Sequence, residues 1–113
     1  MHNLQGPTQR LSIYISEKDQ FNGQSLYEVI IEQAKNSDLA GVSVFRGLYS
    51  YGRDKKIHSM GVLRISEDLP LLIQIIDTKE NIQSFIPKLA QFAADALILQ
   101  EDVTVILPAS KSE

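Results

Sequence analysis

The sequence predicts a single α+β domain: a ferredoxin-like βαββαβ sheet with two helices on one face, and a long loop plus an extra short strand between the second and third core strands. Several short segments alternate apolar and polar residues, whereas two longer segments carry apolar residues at helical spacing. Their order is strand, helix, strand, long loop, strand, strand, helix, strand. The length of 113 residues is that of one domain.

The first half of the chain contains the first strand–helix–strand unit. Leu11–Ser16 alternates and is predicted to be a strand, while residues 1–9 and 108–113 are expected to be frayed tails. The segment SLYEVIIEQAK has a broad apolar face, and Ser25 with Glu28 is predicted to form a capping box at its start. GVSVFR then follows as the second core strand.

The second half contains the remaining strands and the second helix. GVLRIS (residues 61–66) is interpreted as the extra short strand, and LLIQIID, the most apolar segment, as a central strand. Asp77 or Thr78 is predicted to cap the second helix, and Pro87 is expected to kink or restart it. Val103–Leu107 is predicted to be the last strand.

One face of this sheet is left without a helix. Tyr14, Phe45, Leu72 and Ile76 are predicted to lie on it. A half-apolar face in water favours association, so we expect this face to be buried between subunits.

Composition narrows the function classes. The chain has no cysteine, which excludes disulfides and thiolate metal sites. No apolar run reaches the roughly 20 residues that span a bilayer, and the N-terminus does not have the pattern of a signal peptide. We therefore expect a cytoplasmic protein with no direct membrane insertion. The net charge of −3 argues against a general nucleic-acid binder.

The stretch Val44–Val62 is too polar for a core strand and too long for a tight turn. It holds two of the four tyrosines and four of the eleven Lys and Arg residues. Long loops without regular structure are uncommon in compact domains and are usually functional or disordered. We expect the part between Tyr49 and Met60 to be disordered or highly mobile in the absence of a ligand or partner. The charged residues of the whole stretch Val44–Val62 give it a net charge of +3. They are Arg46, Arg53, Asp54, Lys55 and Lys56.

Several interpretations of this loop are open. Gly47 and Gly52 have the G-x-x-x-x-G spacing of a phosphate loop, but the residues that follow are not the Lys and Ser or Thr that the motif needs. Tyr49 and Tyr51 could stack on bases beside the basic residues, as in single-strand binding. The charges could also simply keep a surface loop solvated.

Catalytic residues are scarce. His58 is the only histidine outside the N-terminal tail, and Glu67 with Asp68 fits a solvated turn before a proline. No His, Asp or Glu cluster has the spacing of a metal site. We therefore expect no enzyme activity, no catalytic residue and no metal.

The chain resembles the PII signalling superfamily from Leu11 to about Leu107. The segments that carry this resemblance are GVSVFRG leading into YGRDKKIH, then DLPLLIQIID, then a helix and a last strand. The pattern is more similar still to a PII-like branch, the family of domain of unknown function 190. In the superfamily a basic loop, called the T-loop, leaves the second strand just after a glycine.

The resemblance implies a regulatory or sensory protein that assembles as a homotrimer. It implies a small anionic ligand between subunits near the T-loop base, usually an adenine nucleotide bound as a regulatory ligand and not as a cofactor. It also implies that the loop signals to a membrane transporter or an enzyme as partner. The alternative is a small enzyme or a metal-tolerance-like protein on the same fold; a nucleic-acid module is not expected.

One segment departs from the PII pattern. PII proteins connect the second helix to the last strand by a glycine-rich basic segment that cradles phosphates. The corresponding segment here reads ADALILQED and has no Gly, Lys or Arg. We expect the basic C-terminal segment of PII proteins to be missing as well. Triphosphate binding in the PII manner is therefore not expected, while a monophosphate, a different anion or no nucleotide at all remain open.

The candidate residues all belong to the loop, which we name the basic loop (residues 47–60), or to its base at Arg46. Tyr49, Tyr51 and Lys56 are assigned to partner binding. The residues assigned to ligand binding are Arg46, Gly47, Tyr51, Gly52, Arg53, Lys55, Lys56 and His58.

Overall fold

The computed structural model describes residues 4, 6–47, 49–51, 57–59 and 69–106, with the backbone alone for 49–51 and 57–59. These residues form eight strands and two helices. In chain order they are β1 (Thr8–Ser16), β2 (Gln20–Phe21), β3 (Gln24–Ser25), α1 (Leu26–Asn36), β4 (Gly41–Arg46), β5 (Tyr49–Tyr51), β6 (Ile57–Ser59), β7 (Pro70–Thr78), α2 (Lys79–Phe92) and β8 (Leu97–Val103).

Four strands form one antiparallel sheet in the order β4-β7-β1-β8. This order arises when two strand–helix–strand units interleave, so the ferredoxin-like prediction is confirmed. The register sets Ile13 of β1 between Ile73 of β7 and Ile98 of β8. The segment LLIQIID lies inside β7, which is a central strand as predicted.

Both helices pack on one face of this sheet. Side chains of β1 and β7 alternate between the two faces because successive residues of a strand point in opposite directions. The inward residues meet the apolar stripes of α1 and α2. The buried cluster consists of Leu11, Ile13, Ile15, Leu26, Ile30, Ala34, Leu39, Leu71, Ile73, Ile75, Ile82, Phe85, Leu89 and Ala93.

The first strand begins earlier than predicted. β1 starts at Thr8, not at Leu11, so the last two residues of the expected tail belong to the sheet. Gln9 is buried, and its amide Nε2 donates to Asp102 Oδ1 at 3.0 Å while its Oε1 accepts from Gln83 Nε2 at 3.0 Å. A polar residue is thus buried by partners that are distant in the sequence, and local alternation gives no signal of this.

The last strand lies upstream of its predicted position. β8 spans Leu97–Val103, so the prediction of Val103–Leu107 was wrong, and residues 104–106 are not in a strand. Ile98 packs against the core, while Leu97 and Leu99 lie on the opposite face. Apolar residues on both faces remove the alternation that would have indicated a strand.

The N-terminal caps of the two helices agree only in part with the predictions. Ser25 is the N-cap of α1, but its side chain makes no capping hydrogen bond, so the capping box predicted with Glu28 is absent. Thr78 caps α2 as predicted, because its Oγ1 accepts from the backbone N–H of Asn81 at 3.2 Å. The helix continues through Pro87 without a restart.

Two short hairpins were not predicted. β2 and β3 are joined by Asn22 and Gly23, whose φ angles are 51° and 81°. Asn-Gly is a strong signal for such a tight turn and could have been used. In the basic loop, β5 pairs with β6. The predicted extra strand at residues 61–66 lies outside the described residues.

Candidate functional site

Three chain segments meet where the basic loop leaves the sheet. β4 ends with Arg46, which is paired with Leu71 of β7. The backbone N–H of Gly47 donates to the carbonyl oxygen of Pro70 at 2.8 Å, and the N–H of Glu17 donates to that of Leu69 at 2.8 Å. The end of β1, the end of β4 and the start of β7 are therefore held together at one point, which we call the loop base.

Gly47 allows the close approach within the loop base. A Cβ at this position would lie 2.9 Å from Cγ of Pro70, closer than real Cβ contacts come. The proline ring cannot swing aside as a long flexible side chain could. Gly47 was predicted to bind the ligand, which stays a prediction. In the structure, the absence of a side chain at Gly47 lets the chain that follows β4 pass close to Pro70.

We expect Gly47→Ala to lower the free energy of unfolding by about 1–2 kcal/mol, the usual range for overpacking. Urea unfolding measures this change. Gly41→Ala is the matched control, because a Cβ at Gly41 meets no heavy atom within 4 Å. Equal stability of the two variants would show that the approach of Gly47 to Pro70 can relax without cost.

An ion pair joins the two sides of the loop base. Nη2 of Arg46 donates to Oε2 of Glu17. The Arg46 side chain is 52% exposed, whereas that of Glu17 is 20% exposed. The other carboxylate oxygen, Oε1 of Glu17, is buried and has no hydrogen-bond donor within the described part of the chain. Glu17 was not among the predicted site residues, since its position after a strand resembles an ordinary turn.

The structure places only part of the predicted site. Arg46 and Gly47 are together at the loop base. The backbone of Tyr49, Tyr51 and His58 lies in the β5–β6 hairpin. The remaining predicted residues, Gly52, Arg53, Lys55 and Lys56, lie outside the described ranges.

The segment before the last strand is shorter than predicted. Most of ADALILQED is β8 itself, and the connection from α2 to β8 is residues 93–96. This connection reads Ala-Ala-Asp-Ala and still contains no Gly, Lys or Arg. The difference from the PII pattern therefore remains, although it is confined to four residues.

The open face of the sheet carries an apolar row. Phe45 of β4 is paired with Leu72 of β7, Leu72 with Tyr14 of β1, and Tyr14 with Leu97 of β8. Phe45 is 50% exposed, Tyr14 44% and Leu97 59%. Leu99 lies on the same face two residues along β8, and Ile76 lies four residues from Leu72 along β7, so the predicted apolar face is present and is enlarged by β8.

A groove of about 520 Å³ lies at the opposite end of β1, beside the start of α2. Pro7, Thr78, Lys79, Glu80 and Gln83 line it, and none of these belongs to the predicted site. Among the residues described, no three His, Cys, Asp or Glu side chains are placed to hold a metal ion. Neither α1 nor α2 is long and apolar enough to cross a membrane.

Sequence comparisons with known proteins identify the family of this chain. The family model for domain of unknown function 190 (DUF190), described as an uncharacterized ACR, matches residues 8–105. A UPF0166 protein of Aquifex aeolicus is 35% identical over 96 residues, which cover 85% of this chain and 90% of that protein.

Two solved structures are similar in fold at low sequence identity. CPII, a nitrogen regulatory PII-like protein of Thiomonas intermedia K12, has a TM-score of 0.64 at 13% identity, covering 88% of this chain and 96% of that one. A candidate PII-like signalling protein of Thermus thermophilus has a TM-score of 0.61 at 14% identity, covering 94% of each chain. On the family match, this chain belongs to the DUF190 family, and its fold is similar to that of solved PII-like proteins.

Proposed function

We propose that this protein is a PII-like regulatory protein that binds a small anionic ligand at the loop base. The ligand we favour is an adenine nucleotide with one or two phosphates, bound between subunits. The observation that carries this proposal is Arg46, a half-exposed guanidinium at the end of the strand from which the basic loop leaves. Arginine is well suited to phosphate because its donors form a fixed fork.

The surrounding charges support an anion at this position. The stretch from Arg46 to His58 carries four basic residues and one acidic residue in a chain with a net charge of −3. A local positive field of this kind raises the concentration of anions near the loop. The solved structure of CPII contains ADP, AMP and bicarbonate, which supports the same ligand class for this chain.

The chemistry of the connection from α2 to β8 limits the number of phosphates. Residues 93–96 provide no basic side chain and no glycine to cradle a phosphate, and Asp95 adds a negative charge. Most of the counter-charge must then come from Arg46 and the basic loop. A monophosphate or diphosphate suits this supply better than a triphosphate.

Assembly is the second part of the proposal. The apolar row of Phe45, Leu72, Tyr14 and Leu97 crosses all four strands and is covered by neither helix. We propose that this row is buried in a homotrimer, with the number of subunits taken from the PII resemblance. The ligand site would then lie in a cleft between neighbouring subunits.

Signalling is the third part. A ligand changes the loop only if it binds one loop state more tightly than another. An anion on Arg46 acts on the residue next to Gly47, where the loop begins. We propose that occupancy changes how Tyr49, Tyr51 and Lys56 meet a protein partner, a membrane transporter or an enzyme.

Calorimetric titration of AMP and ADP tests the ligand assignment. We expect the wild type to bind at least one of them, and Arg46→Ala to bind it about 10- to 100-fold more weakly, because a hydrogen bond to a charged group contributes about 1.5–3 kcal/mol. Lys35→Ala removes the same charge from the last turn of α1 and serves as the control.

The outcomes separate the parts of the proposal. Absence of binding by the wild type would overturn the choice of an adenine nucleotide. Equal binding by the wild type and by Arg46→Ala would move the site away from the loop base. If Lys35→Ala weakens nucleotide binding as much as Arg46→Ala does, Arg46 acts only through the net charge of the protein.

A further inference from the structure

The residue that occupies Arg46 in the free protein is itself an anion. Oε2 of Glu17 accepts from Nη2 of Arg46, so a carboxylate already holds part of the surface that a ligand phosphate would contact. Guanidinium groups bind carboxylates and phosphates by the same planar arrangement of donors. The two anions therefore compete for one cation.

The two partners of this ion pair differ in their freedom to move. The Arg46 side chain is 52% exposed at the end of an edge strand, and it can turn toward solvent. Glu17 is 20% exposed, and its backbone N–H is fixed to the carbonyl oxygen of Leu69 at 2.8 Å. If Arg46 turns to a ligand, Glu17 stays behind.

Among the described residues, Arg46 is the side chain that pairs with the Glu17 carboxylate. Its Oε1 is buried, and no donor in the described ranges reaches it. Charged groups that are removed from water are costly unless they are paired. Loss of Arg46 to a ligand therefore leaves an under-solvated negative charge beside the incoming anion, and both effects oppose binding.

We propose that Glu17 is an internal competitor for the anion that binds Arg46, and that it sets the ligand affinity of the loop base. This inference deepens the proposed function and rests on it. In the free protein, Glu17 holds Arg46. In the bound protein, the ligand takes Arg46 and Glu17 is released.

The same exchange acts where the chain leaves the sheet after β4 and where it returns to the sheet before β7. Arg46 immediately precedes Gly47, where the basic loop begins, while the backbone N–H of Glu17 donates to the carbonyl oxygen of Leu69, the residue before β7. Breaking the ion pair removes a side-chain link between these two points. Ligand occupancy is thereby converted into a change at the loop base, which is the two-state element that a switch requires.

Calorimetric titration of ADP into Glu17→Gln tests this inference. Glutamine keeps the size of the side chain and an oxygen that can accept from Arg46, but it removes the charge. We expect ADP to bind about tenfold more tightly than to the wild type, within the usual range of coupling between sites. Glu32→Gln is the control, since it removes one exposed carboxylate from α1 and changes the net charge equally.

A second variant guards against an effect of shape. Glu17→Ala has no side-chain oxygen, and we expect it to give the same direction of change if the charge of Glu17 is the cause. Thermal melting of each variant, followed by circular dichroism, establishes that it is folded at the titration temperature.

Each outcome decides between the two proposals. Tighter binding by both Glu17 variants, with Glu32→Gln unchanged, supports the competitor role. Unchanged or weaker binding by the Glu17 variants overturns it and leaves the proposed function standing. An equal gain in Glu32→Gln would reduce the effect to net charge and would also overturn it. If neither the wild type nor Glu17→Gln binds ADP, the same titrations are made with AMP, and absence of binding there too overturns the ligand assignment and this inference together.

Discussion

Asp77→Ala is expected to lower the free energy of unfolding by about 3 kcal/mol. Asp77 is 2% exposed and lies just before the cap of α2. Its Oδ2 accepts from the backbone N–H of Ala40 at 2.6 Å, and its Oδ1 accepts from the N–H of Thr78 at 2.6 Å and from Nδ2 of Asn81 at 2.9 Å. Removal of the carboxylate leaves partly buried donors without an acceptor, and each such donor costs about 1–3 kcal/mol.

Asp77 also connects two distant parts of the fold. Ala40 precedes β4, and Asn81 lies in the first turn of α2. A negative charge near this end of a helix interacts favourably with the helix dipole. Removal of the Asp77 carboxylate should therefore destabilise both the start of β4 and the start of α2. Backbone hydrogen exchange at Ala40 and Thr78 should accelerate more than exchange in α1.

Urea unfolding at fixed protein concentration measures the loss of stability. Asp95→Ala is the matched control, because Asp95 is exposed in the connection to β8 and should change stability by less than about 0.5 kcal/mol. Asp77→Asn should be intermediate, since it keeps one acceptor but turns an amide toward a donor. A loss below about 1 kcal/mol for Asp77→Ala would mean that water replaces the carboxylate.

Leu97→Lys is expected to convert the proposed trimer into single chains. Leu97 is 59% exposed in the isolated chain, so the substitution leaves the fold of one chain intact. In an assembly that buries the apolar row, it would place an ammonium group beside Tyr14, at the β8 end of the row, in every subunit. An unpaired charge is costly to bury, and the lost apolar contact adds about 1.5–3 kcal/mol for each leucine.

Light scattering coupled to size-exclusion chromatography at micromolar concentration measures this effect. Ser84→Lys introduces the same charge on an exposed position of α2 and should keep the mass of the wild type. A wild type that is monomeric would refute the trimer itself. A Leu97→Lys variant that keeps the wild-type mass would show that β8 lies outside the subunit interface.

The helices and the central strand were predictable because their signals are local. The stripe Ile82, Phe85 and Leu89 repeats at helical spacing and is buried as that spacing requires. Thr78 caps α2 through a hydrogen bond to a residue three positions away. The short range of these interactions lets a single segment of sequence specify them.

The bounds of the outer strands were less predictable because they depend on pairing. β8 is a strand because seven of its residues pair with β1, from Thr8 opposite Val103 to Tyr14 opposite Leu97. Its own sequence places apolar residues on both faces and then three polar residues in succession. A strand defined by its neighbour cannot be located from its own alternation.

The candidate site shows the same division. Arg46 and Gly47 were recognised from a motif in one contiguous stretch, and the structure places them together at the loop base. Glu17 had no such motif, because its partner Arg46 is 29 residues away. The packing role of Gly47 had no such signal either, since the close approach of Pro70 is invisible in the sequence, and its assignment to ligand binding stays a prediction.

The sequence by itself determined the α+β class, the order of the main strands and helices, the cap of α2 and the membership in the DUF190 family, because all of these rest on local periodicity or on contiguous motifs. Only the tertiary structure decided the bounds of β1 and β8, the apolar row across four strands, and the pairing of Glu17 with Arg46. The physical reason is that these features depend on sheet register and on contacts between residues far apart in the chain.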